Sequence, residues 1–294
     1  MTESAMAPPE EELNEPPEGG PPGVEGEKPM TFWEHLDELR ARLIRSVVAL
    51  FLGCIVAWEF HGRLLEFLKL PFAQAWAGAG LPGEAALHQA APAAGFSAYI
   101  KLALIGGAAL AAPVIFYQLW SFIAPGLYAK EKKYLVPFVT FSTGLFIGGG
   151  YFGWRVAIPI SFHYFLALSN ETGAGHVAIT PTFMVGEYID FCLQVMLGFG
   201  LTFELPMILL FLSIAGVVNW IMLIRYGRWF IFIAFVLAAV LTPPDVISQL
   251  TMAIPMCLLY GVSIGLVYLF GKPPTEADKE AWRNRKKKTK PEPV

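Results

Sequence analysis

The chain reads as an all-α integral membrane protein with six transmembrane helices, on three grounds. Apolar side chains make up 55% of its 294 residues and charged ones only 15%, with a mean hydropathy of +0.52. Soluble domains carry about 25% charged residues, so too few charges remain here to cover an apolar core with a wettable surface. The apolar residues also fall into six stretches near the roughly 20 residues that a helix needs to cross a hydrocarbon layer of about 30 Å. Finally, Lys and Arg crowd the connections on one side. This composition excludes most water-soluble enzymes, nucleic-acid binders and disordered scaffolds.

Residues 1–29 hold eight Glu, one Lys and seven Pro with no aromatic, so the overall charge of −3 conceals +4 on residues 30–294. Such a segment buries too little apolar surface to offset its ordering entropy. It is expected as a disordered acidic cytoplasmic tail, followed by a six-span membrane domain (30–271) and a basic cytoplasmic tail (272–294). The first span centres on Ser46–Trp58, with Arg45 and Glu59 able to snorkel at its ends. About 45 residues precede it and no small-x-small cleavage site follows, which argues against a signal peptide. The second span lies in the uncharged run Leu102–Ala129, and Pro125-Gly126 near its end breaks the helix. The third starts at Tyr134 and passes Arg155 toward Leu168. The fourth runs from about Phe183 to Val217 and contains Glu204.

The fifth, Trp229–Leu241, is only 13 residues long. At about 1.5 Å per residue that covers roughly 20 Å, a short helix that either thins the bilayer or packs against something that does. Pro243-Pro244-Asp245 then leaves room only for a tight turn before the sixth span, Val246–Phe270. Between the first two spans, residues 62–95 form a large outer connection, in which Leu64–Leu70 is expected as a short interfacial helix ended by Pro71. An even number of spans puts both termini on one side. Placing them in the cytoplasm leaves 17 of 21 Lys and Arg inside, and eight against four in the short loops alone, so the expected topology is N-in and C-in.

Few residues in so apolar a chain have chemistry to offer. Cys54, Cys192 and Cys257 lie singly in apolar stretches and read as buried free thiols. No His has a Cys or Ser partner at triad-like or metal-like spacing. Gly261-Val262-Ser263-Ile264-Gly265 matches a nucleophile-elbow pattern but falls inside a membrane helix. There, as at Gly144/Gly148 and Gly149/Gly153, the spacing suits close helix packing. In His35–Leu43, the residues Leu36, Leu39 and Leu43 share one helical face, while Glu38 and Arg42 form an i,i+4 pair on another. The segment is either a solvated anchor for the first span or a carboxylate surface for a cationic partner. Glu131 is the one acid in the basic connection Lys130–Lys133, suited to an intraloop ion pair or again to a cationic ligand.

Glu204 is the outlier. It lies at membrane depth, where an ionisable group costs at least about 2.5 kcal/mol and by default faces protein or water. Pro206 cannot donate to the carbonyl of Thr202, so the helix should kink beside the carboxylate. Thr242 and Gln249, flanking the last turn, are the polar groups expected to share its surroundings. On these residues alone, a proton-coupled secondary transporter of a small solute working through Glu204 stands as an alternative function.

Three blocks together resemble the TatC family, the multi-span core subunit of the twin-arginine protein translocase. They are His35-Leu36-Asp37-Glu38-Leu39-Arg40-Ala41-Arg42-Leu43, the run Ala112–Tyr128 continuing through Glu131, and Phe203-Glu204-Leu205-Pro206 with Leu241–Gln249. The resemblance covers about residues 31–271. It implies a cup-like bundle that is not an enzyme and has no cofactor. Such a protein binds twin-arginine signal peptides of folded proteins at its cytoplasmic face, and export is driven by the proton gradient. By the resemblance, Glu38, Arg40, Phe122 and Glu131 bind the signal. Glu204, Thr242 and Gln249 form an intramembrane polar patch that docks single-span partner subunits of the TatA and TatB type. It also implies residence in the bacterial cytoplasmic (inner) membrane, in multiple copies within a larger complex and without nucleic acid. Carboxylates suit a guanidinium pair because they accept charge-assisted, often bidentate hydrogen bonds.

Overall fold

The computed structural model describes residues 32–79, 85–123, 135–172, 182–242, 245–276, 278–280 and 282. Of the two units into which the chain divides, 1–37 and 38–294, the first is described only from residue 32. The helices are α1 (Phe32–Glu59), α2 (His61–Gly78), α3 (Pro92–Ile123), α4 (Leu135–Phe152), α5 (Ile158–Thr172), α6 (Val185–Phe203), α7 (Leu205–Ile214), α8 (Trp220–Leu241) and α9 (Val246–Phe270). One π-helical turn, Gly153–Ala157, joins α4 to α5. Two two-residue strands, β1 (Leu87–His88) and β2 (Phe183–Met184), pair in parallel.

Among the described residues, six segments are long and apolar enough to cross a membrane: Trp33–Glu59, Pro92–Ile123, Leu135–Leu168, Val185–Ile214, Trp220–Leu241 and Val246–Phe270. Their number and order match the expectation. The fifth is the shortest at 22 residues, yet it begins nine positions before the expected start and so reaches about 33 Å. Asn219 caps it, accepting from the Met222 N–H at 3.0 Å. Arg225 and Arg228 lie within the helix near that end, where long cationic side chains reach out of the apolar layer. The uncharged run is short; the helix is not, and the bilayer-thinning argument falls with it.

Pro71 also departs from expectation. It does not end a helix but sits buried inside α2, which continues to Gly78. A proline in a helix interior costs about 3 kcal/mol because the carbonyl four residues back loses its donor. Here that carbonyl, Phe67 O, accepts from the Trp154 indole at 3.1 Å, and the next one, Leu68 O, accepts from the Tyr188 hydroxyl. The Trp154 ring stacks on Phe67 at 4.1 Å. The Trp154 bond returns about 1 kcal/mol to the deprived carbonyl, and the Tyr188 bond adds a second anchor beside it, which helps the helix pass through the proline.

Two apolar clusters position the polar residues. The larger joins α2, α3, α5, α6, α8 and α9 through Phe72, Leu102, Phe162, Ile189, Phe199, Ala234 and Met252. The smaller joins α3, α4 and α7 through Phe116, Trp120, Phe138, Met207 and Phe211. Glycine sets the closest approaches. A Cβ on Gly149 would stand 2.5 Å from the Phe199 carbonyl oxygen, and one on Gly107 would stand 2.6 Å from Cys54 Sγ. These small residues let α4 press on α6 and α1 on α3. By contrast, a Cβ on Gly144, Gly148, Gly261 or Gly265 meets nothing within 4 Å, so the Gly-x-x-x-Gly spacing packs helices of this chain at Gly149/Gly153 and not at the other two places. All three cysteines are free, but only Cys192 is buried; Cys54 and Cys257 are partly exposed.

Beyond α9 the described residues return to the start of α8. Asn219 donates to Asp278 Oδ2 at 2.9 Å and the Thr275 hydroxyl donates to the same oxygen at 2.6 Å. The Thr275 hydrogen bond holds the Asp278 carboxyl below the usual carboxylate range.

Candidate functional site

Glu38 and Arg42 stand one helical turn apart on α1. Glu38 Oε1 accepts from both Arg42 Nε (2.9 Å) and Arg42 Nη2 (2.5 Å), with the two side chains only 19% and 20% exposed. Oε2 is buried and has no hydrogen-bond partner among the described residues. The carboxylate is thus held by a guanidinium fork at one oxygen and left unpartnered among the described residues at the other. Arg40 is exposed, and two residues of helix rotation set it on the far side of α1 from Glu38. Phe122 is half-buried, one residue before the end of α3. Glu131 and Pro125 lie outside the described residues.

Glu204 sits where α6 ends and α7 begins, with Pro206 in the first turn of α7. The missing Pro206 N–H interrupts the α-ladder as expected. The Glu204 N–H turns to Leu201 O at 3.1 Å, the Ile208 N–H bonds Glu204 O at 2.9 Å, and the Thr202 hydroxyl bonds Gly198 O at 2.7 Å. The side chain is 3% exposed and neither carboxyl oxygen makes a hydrogen bond among the described residues. The packing of Gly200 against Phe146 and of Gly149 against Phe199 turns the Ser142 face of α4 toward it. Ser142 Oγ itself accepts from Trp120 Nε1 of α3 at 2.9 Å.

Thr242 and Gln249 make their hydrogen bonds to backbone carbonyls. The buried Thr242 hydroxyl donates to Ala238 O at 2.9 Å, and the Gln249 amide donates to Phe235 O at 3.1 Å. No hydrogen bond among the described residues links either to Glu204. Asp245 caps α9 by accepting from the Ser248 N–H at 2.7 Å; Pro243 and Pro244 lie outside the described residues.

Two polar pairings escaped the sequence. One is Trp120–Ser142, although a buried indole N–H calls for an acceptor and a Ser in an apolar helix is a ready one. The other is Lys101–Asp190, whose ammonium stands 2.6 Å from Oδ1 and 2.7 Å from Oδ2 between α3 and α6. No local spacing announces a pair 89 residues apart. Arg155, in the π-turn, donates to Gln74 of α2 at 3.4 Å. Among the described residues, no group of three or more His, Cys, Asp or Glu is placed to hold a metal ion.

Comparison with known proteins bears on this arrangement. The family described as Sec-independent protein translocase protein (TatC) matches residues 34–255. The Sec-independent protein translocase protein TatC of Desulforapulum autotrophicum is 38% identical over 258 residues, covering 88% of this chain and 92% of that one. The protein of the same name from Koribacter versatilis is 37% identical over 243 residues, 82% of this chain and 86% of that one. A crystal structure of the twin-arginine translocase receptor TatC in the detergent DDM superposes with a TM-score of 0.70 at 37% identity, covering 80% of this chain and 99% of that one.

Proposed function

This chain belongs to the TatC family of Sec-independent protein translocase proteins, and we propose that it binds twin-arginine signal peptides at a cytoplasmic face built around Glu38 and Glu131, to which Arg40 and Phe122 also contribute. As a TatC protein it is a multi-pass membrane protein and a core component of the twin-arginine translocase. A proton-coupled transporter of small solutes working through Glu204 therefore has no support. The rest of the proposal concerns partners and place. Single-span subunits of the TatA and TatB type dock around Glu204, Thr242 and Gln249; the protein works in multiple copies in the bacterial cytoplasmic membrane with both termini inside; and the proton gradient drives export.

The observation that carries signal binding is the half-used carboxylate of Glu38. Arg42 pins and orients it through Oε1, while the buried Oε2 waits for a donor. A peptide guanidinium offers five N–H donors and no acceptor, so it completes this group with a charge-assisted bond that a neutral donor cannot match. Burial matters too, since the same pair fully exposed would contribute at most about 1 kcal/mol. Replacing Glu38 and Glu131 together by Lys is expected to abolish photocrosslinking to a twin-arginine signal peptide. Undiminished crosslinking in a correctly inserted double variant would overturn the proposal.

A further inference from the structure

Ser142 accepts the Trp120 indole proton at 2.9 Å and is fully buried. Its own hydroxyl proton is therefore free to be donated, and no hydrogen bond among the described residues uses it. Helices α4 and α6 pack antiparallel, with Gly200 against Phe146 and Gly149 against Phe199, which sets Ser142, one turn before Phe146, opposite Glu204, one turn after Gly200; Glu204 is buried and neither of its carboxyl oxygens is hydrogen-bonded among the described residues. A buried carboxyl without a donor and a buried hydroxyl without an acceptor are complementary, and each left alone carries a penalty of about 1–3 kcal/mol. The indole bond matters because it occupies one Ser142 lone pair and turns the hydroxyl proton away from the indole. Trp120 is itself clamped by Phe138 at 5.2 Å and Phe211 at 5.0 Å, so the indole cannot swing away without disturbing α4 and α7.

We infer that Ser142 is the positioning residue for the Glu204 carboxyl and that Trp120 sets its orientation, forming a buried relay from α3 through α4 to the α6–α7 break. The inference rests on the reading of Glu204 as a functional group and adds a route to it. Trp120 lies two residues from Phe122 at the end of α3, so a shift of that end on signal binding is transmitted to the intramembrane acid through one indole and one hydroxyl. The packing is dense around each member of the relay and every member belongs to a different helix, which makes a small α3 displacement hard to absorb locally.

The test uses the full-length protein in membranes with Trp120→Phe, Ser142→Ala and the double variant. The readout is the rate at which a hydrophobic carbodiimide labels Glu204, followed by mass spectrometry of the Glu204 peptide. Loss of one donor to a buried acceptor corresponds to about a three- to tenfold change, so each single variant is expected to speed labelling by that factor. The double variant is expected to match Ser142→Ala alone, because the indole acts only through the hydroxyl. Trp120→Phe keeps the aromatic bulk, which guards against a mere failure to fold. Unchanged labelling in both single variants, or effects of the two that multiply, would overturn the relay. Twin-arginine export measured with Glu204→Gln separates the two ideas: normal export there defeats the functional reading of Glu204, whereas the labelling pattern alone decides the relay.

Discussion

Glu204 concentrates the energetic argument. Its carboxyl sits at membrane depth and 3% exposed, without a hydrogen bond among the described residues, and an acid so placed costs at least about 2.5 kcal/mol that packing alone does not need. Replacing it by Ala relieves that cost, so a side chain with no role predicts assembly unharmed apart from the cavity left behind. A docking role predicts something else: Glu204→Ala should weaken association with single-span partner subunits by about tenfold, the worth of one hydrogen bond to a charged or polar group, while crosslinking of signal peptide at Glu38 persists. Native-gel analysis of the assembled complex reads this directly, and normal assembly would count against docking at Glu204. Glu38 and Glu204 both stand out in the sequence because each breaks a trend, one an acid among the bases that precede the first span and the other an acid in an apolar run. Ser142 and Trp120 do not. A Ser and a Trp in membrane helices are unremarkable alone, and only the tertiary arrangement, bringing together residues 22 apart on α3 and α4, gives them a meaning.

Helix α2 shows how an element is rescued against its own sequence. Pro71 deprives Phe67 O of its ladder bond, and Trp154 from the far end of the third span supplies the substitute. Trp154→Phe keeps a ring over Phe67 and removes only the N–H, so the expected loss is about 1 kcal/mol. It should be visible as faster hydrogen exchange through residues 67–75 and a lower unfolding temperature in detergent. Adding Pro71→Ala restores a backbone donor to Phe67 O, and the penalty of Trp154→Phe should shrink in that background. Equal penalties in both backgrounds would show that the indole contributes only ring packing. The same element marks the boundary of what periodicity reveals. The six spans were legible because an apolar run of sufficient length has almost no other stable use. The continuation of α2 past Pro71 and the early start of α8 at Trp220 were not, since one depends on a side chain 83 positions after the proline in sequence and the other on Arg225 and Arg228 being carried within the helix.

Taken as a molecule in a membrane, the chain is organised by where its charges are allowed to be. Helix α1 is the plainest case: only 11% of its apolar window is buried within the chain, and Leu43, Val47, Phe51, Leu52 and Ile55 are all exposed. That surface has lipid or a partner helix as its natural environment. With the helices committed to the bilayer, orientation is left to the Lys and Arg of the connections, 17 of 21 on one side when the termini are assigned to the cytoplasm. Arg, Lys and Asp cost roughly 2.5–3.5 kcal/mol each at a helix centre, and the bias in short loops acts at insertion, so the opposite orientation would require the basic connection Lys130–Lys133 to be translocated. Single cysteines in a background lacking Cys54, Cys192 and Cys257 test this. Gly62→Cys, where a Cβ meets nothing within 4 Å, should react with a membrane-impermeant maleimide added to intact spheroplasts. Ala129→Cys, in the basic connection, should react only after permeabilisation. Labelling of Ala129→Cys from outside would invert the topology, and with it the cytoplasmic placement of Glu38 and Glu131 that the proposed signal recognition requires.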